Sequence, residues 1–154
     1  MIAVLQRVNS AVVYADGELS GKIGKGLYIL LGVEACDTEY EADLVCEKIS
    51  KLRIFSDENG KMNLSVTDVS GSVLVVSNFT LNANYAHGNR PDYLNGAKPD
   101  KANALYEYFI DGMKARLGAC ESGRFGSDMR TEMSTDGPVT IVMNSEVLKK
   151  KKHS

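Results

Sequence analysis

The chain has 154 residues, 44% of them hydrophobic and 25% charged, with a formal net charge of −2 at pH 7. That fits one domain large enough for a real core, without the overall basic surplus of a dedicated nucleic-acid binder, although a local basic face stays open. No apolar run approaches the roughly 20 residues of a membrane span, and residues 1–7 lack a basic, long-apolar leader, so a cytoplasmic protein without membrane contact is expected.

Residues 2–8 and 11–15 are short β-type runs separated by Asn9-Ser10, followed by turn material at Asp16-Gly17 and Gly21. Residues 26–33 form a near-continuous apolar run that suits a buried strand. Asp37 and Thr38 open a helix with Thr38 and Glu41 at capping-box spacing, and Ala42, Val45, Ile49 and Leu52 come next as its buried stripe. Arg53-Ile54-Phe55 reads as a strand leading into the polar turn Asp57-Glu58-Asn59-Gly60. Residues 72–79 are the strongest strand, with Val73, Leu74, Val75 and Val76 in a row.

Residues 82–98 turn polar and irregular, carrying Gly88, Pro91 and Gly96; so long a loop inside a compact domain is often functional. After Pro99, Asp100 is the predicted cap of a second helix with Leu105, Phe109, Met113 and Leu117 on one face. A turn at residues 123–126 precedes two closing strands, 129–135 and 139–144, on either side of Gly137-Pro138. The prediction is one α+β domain over residues 1–148, strands at both ends and two helices between. A basic, disordered tail over 149–154, opened by Lys149-Lys150-Lys151-Lys152, completes it.

Proline cannot pair inside a central strand, so something must break at Gly137-Pro138. Two readings stand: a tight hairpin turn, or a rigid corner that presents backbone groups to a ligand. The usual catalytic signatures are missing elsewhere. Cys36, Cys46 and Cys120 are an odd set without C-x-x-C spacing, which fits neither a disulfide framework nor a zinc site and suits a reducing compartment. His87 lies in the polar loop and His153 near the end, a poor basis for a triad. No trio of metal ligands and no phosphate-binding glycine loop is apparent, so neither metal nor cofactor is expected. What remains is Ser77-Asn78-Phe79-Thr80-Leu81, where a buried strand runs out into the long loop with two hydroxyls, which either serve chemistry or cap the strand end.

Several ordered motifs together resemble the D-aminoacyl-tRNA deacylases over nearly the whole chain. The opening Met1-Ile2-Ala3-Val4-Leu5-Gln6-Arg7-Val8 resembles the family's first strand, and Arg53-Ile54-Phe55-Ser56-Asp57 with Gly60-Lys61-Met62-Asn63-Leu64 is similar almost letter for letter. Ser77-Asn78-Phe79-Thr80-Leu81 resembles the S-Q-F-T-L motif, Gly88-Asn89-Arg90-Pro91 the G-x-R-P loop. Gly123-Arg124-Phe125-Gly126, Asp128-Met129 and Asp136-Gly137-Pro138-Val139-Thr140 resemble the closing strands with their N-x-G-P-x-T motif. Asn78 stands where the family has glutamine, and Thr135 where it has asparagine; both departures touch fine positioning.

The resemblance implies barrel-like layered sheets with two helices packed on one side, and a homodimer whose cis Gly137-Pro138 reaches into the partner's active site. It implies the aminoacylated 3′ end of a tRNA as substrate, with the terminal ribose 2′-hydroxyl assisting ester cleavage in place of a protein base. In that scheme Thr80 and Ser77 stand at the scissile ester. Asn78, Phe79 and Leu81 form the pocket wall, with Phe79 near the terminal adenine. Gly137 and Pro138 exclude L-residues while admitting D-residues and glycine, and Arg7 and Arg90 lie nearest the gate and acceptor end. The alternatives are a deacylase for another misacylated tRNA and a non-catalytic tRNA-binding protein on the same scaffold.

Overall fold

The computed structural model describes residues 1–150. Strand β1 (Ile2–Ala15) is the spine, because it pairs with three others. Its first half pairs antiparallel with β3 (Gly26–Gly32), and its second half with β2 (Glu18–Ile23), on the same edge. Its other edge pairs antiparallel with β8 (Met129–Asn144) along its whole length. Beyond β3 the sheet continues in parallel through β6 (Ser72–Ser77) to β7 (Glu121–Ser122). Strand β7 then comes back against β2, where Ser20 Oγ donates to the Ser122 carbonyl at 2.9 Å, so the sheet curls almost into a barrel. A small hairpin of β4 (Phe55–Ser56) and β5 (Met62–Leu64) stands apart.

Both main helices pack on one side. Helix α1 (Glu39–Lys51) buries Ala42, Val45, Cys46 and Ile49, and α2 (Pro99–Leu117) buries Leu105, Tyr106, Phe109, Ile110 and Met113. They share one core with Ala3 and Leu5 of β1, Leu27, Ile29 and Leu31 of β3, and Val73 and Val75 of β6. The opposite faces of these strands build a second cluster from Val8, Ala11, Val13, Ile23, Tyr28, Leu74 and Val76. Strand β1 therefore changes which face is buried partway along. It does so where its pairing with β8 shifts, between Gln6 and Ser10; an irregularity of this kind moves side chains to the other face.

The expected α+β barrel-like domain with helices on one side is what forms, with several corrections. Residues 2–8 and 11–15 are one strand, because Asn9 and Ser10 sit exposed at the shifted register while β8 continues alongside. The strand predicted from Arg53 starts at Phe55, and the one predicted to reach Phe79 ends at Ser77, where a 3-10 turn (Phe79–Asn82) takes over. Asp100 does not cap α2. Lys98 is the N-cap without a side-chain bond and Pro99 opens the helix, its preset φ and missing N–H suiting that position. A third helix, α3 (Ser145–Lys150), takes in Lys149, so the basic run begins inside a helix; residues 151–154 lie outside the described part. No helix among the described residues is long and apolar enough to cross a membrane.

Candidate active site

Gly137-Pro138 is not a hairpin turn. Strand β8 keeps one direction throughout, and the two strands predicted around the proline are one. Between the pairs Gln6↔Thr140 and Val8↔Thr135, β1 advances two residues while β8 advances five. Residues 136–139 are thereby looped out of the ladder, which is how a proline is accommodated beside a paired strand. The Gly137-Pro138 peptide bond is cis, and both residues are exposed.

The bulge is anchored from its own chain. Arg7, only 8% exposed, lies opposite it. Its Nε forms an ion pair with Asp136 Oδ2 at 3.0 Å, and a terminal nitrogen donates to the Ile54 carbonyl at 2.9 Å. Arg7 was expected nearest the gate, and its ion pair with Asp136 places it next to Gly137, with its side chain buried at the gate's base. Asn9 adds a contact from its Nδ2 to Ser134 Oγ at 3.3 Å.

A cavity of about 560 Å³ opens at the end of β6. Its wall is mostly apolar and comes from five places in the chain. Leu31 belongs to β3 and Val33 lies just past its end, Ser77, Asn78 and Phe79 stand at the end of β6, and Tyr93, Gly96 and Ala97 come from the long loop. Pro99, Ala102 and Tyr106 come from α2, and Phe125, Gly126, Ser127 and Met129 from the start of β8 and the turn before it. Phe79 is 65% exposed at the rim, its ring edge-on to Tyr93 with centroids 5.1 Å apart. At the base, the Tyr106 hydroxyl lies 2.9 Å from the Val75 carbonyl and 3.0 Å from that of Gly123, bracing β6 against the turn before Phe125. Burial raises the Tyr106 phenol above its ordinary value, which leaves it protonated and structural.

Ser77 through Leu81 take different roles in this geometry. Ser77 and Asn78 are half-buried and line the cavity. Leu81 packs away from it onto β3: a Cβ placed on Gly32 would meet Leu81 Cβ at 2.9 Å, so glycine at 32 is what admits the leucine. Thr80 is exposed beside the cavity. Asn78 N–H donates to the Leu31 carbonyl at 2.8 Å, Thr80 N–H to Asn78 Oδ1 at 3.2 Å, and Leu81 N–H to the Asn78 carbonyl at 3.3 Å. Phe79 contributes the amide of this turn that has no acceptor among the described residues.

Arg90 and His87 are exposed on the long loop and outside the cavity lining. That loop is pinned at its neck by paired backbone bonds between Asn84 and Asp92 at 2.8 and 3.0 Å. Against the expectation that no three metal-ligand groups converge, Glu34, Cys36 and Asp37 do come together. Their carboxylates already hold the Met1 ammonium, Glu34 at 3.2 Å and Asp37 at 2.8 Å, so the trio reads as an ion-pair pocket. Of the cavity residues, Tyr93, Ala102 and Tyr106 were not singled out by the sequence, and Phe125 and Met129 stood out only as parts of the closing-strand motifs. Aromatic residues on both sides of glycine-rich turns were the available signal.

Comparison with known proteins decides the family. Residues 4–144 match the family model described as D-Tyr-tRNA(Tyr) deacylase. The chain belongs to that family. A D-aminoacyl-tRNA deacylase of Salmonella typhimurium is 51% identical over 141 residues, covering 92% of this chain and 97% of the relative. One from Escherichia coli O81 is 50% identical over the same extent. Among solved structures, one described as c-Myc DNA Unwinding Element Binding Protein superposes with a TM-score of 0.87 at 37% identity, covering 94% of this chain and 98% of that one. A probable eukaryotic D-amino acid tRNA deacylase superposes at 0.83 with 14% identity over 92% of this chain and 97% of its own, a likeness of fold alone. Two of the sequence motifs fall on the looped-out Gly137-Pro138 and on the Ser77–Leu81 turn beside the cavity.

Proposed function

We propose that this chain hydrolyses the ester linking a D-amino acid to the 3′ end of tRNA, releasing the free amino acid and the tRNA, and that it does so as a homodimer in the cytoplasm. The observation that carries the reading is the aromatic-walled cavity beside the Ser77–Leu81 turn, in a chain of the deacylase family. Its volume and flat apolar rings suit a nucleoside, with Phe79, Tyr93 and Phe125 offering faces and edges to the terminal adenine.

The protein's part in the reaction is to place the ester and stabilise charge. The Phe79 amide is free to donate to the carbonyl oxygen as it gains negative charge, and one such donor is worth roughly 2.7–4 kcal/mol. No carboxylate or histidine lines the cavity, so the proton traffic falls to water and to the ribose 2′-hydroxyl of the substrate. Water adds its oxygen to the carbonyl carbon, the acyl–oxygen bond breaks, and a proton from that water ends on the departing 3′-oxygen, leaving the free amino acid carboxyl and the tRNA 3′-hydroxyl.

Chirality is the work of Gly137 and Pro138. They are exposed, held rigidly by Arg7 and Asp136, and absent from the cavity lining of their own chain, which supports insertion into the cavity of a second subunit. A rigid backbone there rejects an L side chain by a clash that cannot relax, and admits a D side chain or the bare hydrogen of glycine. Arg90, exposed on the loop, is the cation we assign to the acceptor phosphates.

The test is deacylation of D-tyrosyl-, L-tyrosyl- and glycyl-tRNA side by side. Rapid loss of the D-ester, measurable loss of the glycyl ester and a stable L-ester are expected. Tight binding of charged tRNA with no shortening of any ester's lifetime would instead make the chain a binding protein.

A further inference from the structure

The two tyrosines at the neck of the long loop are held alike. Asn84 and Asp92 face each other as an antiparallel pair, and each closes an Asx turn across the tyrosine that follows it. Asn84 Oδ1 accepts from the Ala86 amide at 3.1 Å, and Asp92 Oδ1 from the Leu94 amide at 3.2 Å. The backbone at Tyr85 and at Tyr93 is thereby tied twice, by the pair and by the turn. In an antiparallel ribbon the residues flanking a pair turn to the opposite face, so Tyr85 and Tyr93 share a face as diagonal neighbours, about 7–8 Å apart.

Their surroundings differ. Tyr93 lines the cavity and has its ring against Phe79 at the rim. Tyr85 stands one step further out and is 81% exposed, with neither a ring partner nor a hydrogen bond among the described residues. A lone exposed aromatic is ordinary. One held on a doubly tied backbone, in line with an aromatic cavity wall, extends that wall outward. Residues 85–91 also carry His87 and Arg90 and no carboxylate, so whatever charge this arm bears is positive. Flat rings beside cationic side chains suit a single-stranded polynucleotide, whose bases stack and whose phosphates need counter-charge. A gap of about 7–8 Å equals two van der Waals contacts of about 3.5–4.0 Å, which is room for one flat base.

We propose that Tyr85 binds the base that precedes the terminal one in the tRNA 3′ strand. The terminal adenine fills the cavity, and the penultimate base stacks on the Tyr85 ring as the strand leaves past Tyr93. Tyr85 lies outside the cavity lining, so it grips the strand and takes no part at the ester. This inference rests on the deacylase reading above.

The experiment crosses Tyr85→Ala with a D-tyrosyl-tRNA whose penultimate nucleotide is abasic, and measures KM and kcat for the four combinations. Either change alone is expected to raise KM by about 10-fold, within the range that one base on one ring spans, with kcat moved less than about twofold. Both together are expected to raise KM no further than either alone, because ring and base are the two halves of one contact. Tyr85→Phe keeps the ring and is expected to bring KM back to within about threefold of wild type. An unchanged KM in Tyr85→Ala, an equal rise on the intact and the abasic tRNA, or a fall in kcat without a rise in KM would overturn the inference while leaving the deacylase intact. A wild type that hydrolyses no D-ester takes down this inference together with the reading beneath it.

Discussion

Gly137 illustrates how one residue fixes the shape of the looped-out segment. Its φ is +134°, and a Cβ there would lie 2.6 Å from the amide nitrogen of Val139 and 2.9 Å from Val139 Cγ2. The nearer atom is backbone, so the clash moves the bulge itself. Gly137→Ala is expected to cost about 1–3 kcal/mol in a urea titration and to lower D-ester turnover by at least tenfold, while the far-ultraviolet spectrum stays native. Gly24→Ala is the control, since nothing lies within 4 Å of a Cβ there and the change should remain within about 0.5 kcal/mol of wild type. The need for a special residue at 137 was legible in Gly-Pro itself. Its place in a bulge was not, because that depends on Arg7, Asp136 and Ile54 meeting across more than a hundred residues of chain.

Among the elements, α1 was the most legible, since a capping box is local chemistry. Thr38 Oγ accepts from the Tyr40 amide at 3.2 Å, and Glu41 Oε2 accepts from the Thr38 amide at 3.2 Å and its hydroxyl at 2.8 Å. The structure adds a tertiary tie, as Lys149 of α3 reaches Glu41 Oε1 at 3.0 Å. Burial by itself pushes the Glu41 carboxyl up, but the bonds from Thr38 and Lys149 prevail and hold it at about 2, against an ordinary 4.5. A depressed carboxyl stabilises the fold above its unfolded pKa and loses that contribution as pH falls toward the folded one. Glu41→Gln is therefore expected to cost about 1 kcal/mol at pH 7 and almost nothing at pH 2, with the change concentrated between pH 4.5 and 2, read by denaturant titration at each pH. Helix α2 was less legible. Asp100 looked like a cap, but the proline before it had already set the first turn. The cavity was least legible of all, because Leu31, Phe79, Tyr93, Tyr106 and Phe125 read individually as core or loop and converge only once β3, β6 and α2 are packed.

At the scale of the whole molecule, the first and last regular segments are fastened together. The Met1 ammonium is fully buried between Asp37, Glu34 and Ser145 Oγ, and the Ser145 amide donates to the Met1 carbonyl at 2.9 Å. Asp37 is 1% exposed and also accepts from the Glu34 amide at 2.7 Å. Asp37→Ala leaves a buried cation short of its nearest counter-charge, and a loss of about 3 kcal/mol is expected, read as a lower urea midpoint with an unchanged slope.

The pairing of β1 with β8 has a further consequence for how the protein comes into being. Ile2 finds its ladder partner at Asn144, and Ala15 at Met129, so the whole outer edge of the first strand is completed by the last one. During synthesis β1 leaves the ribosome early with Val8, Ala11 and Val13 already committed to a core whose other wall does not yet exist. It can meet β2 and β3 on one side, but its remaining row of amides and carbonyls stays open until β8 has been made. Between the synthesis of β1 and that of β8 the nascent chain is thus an unfinished sheet with an unprotected edge, and closure waits for β8.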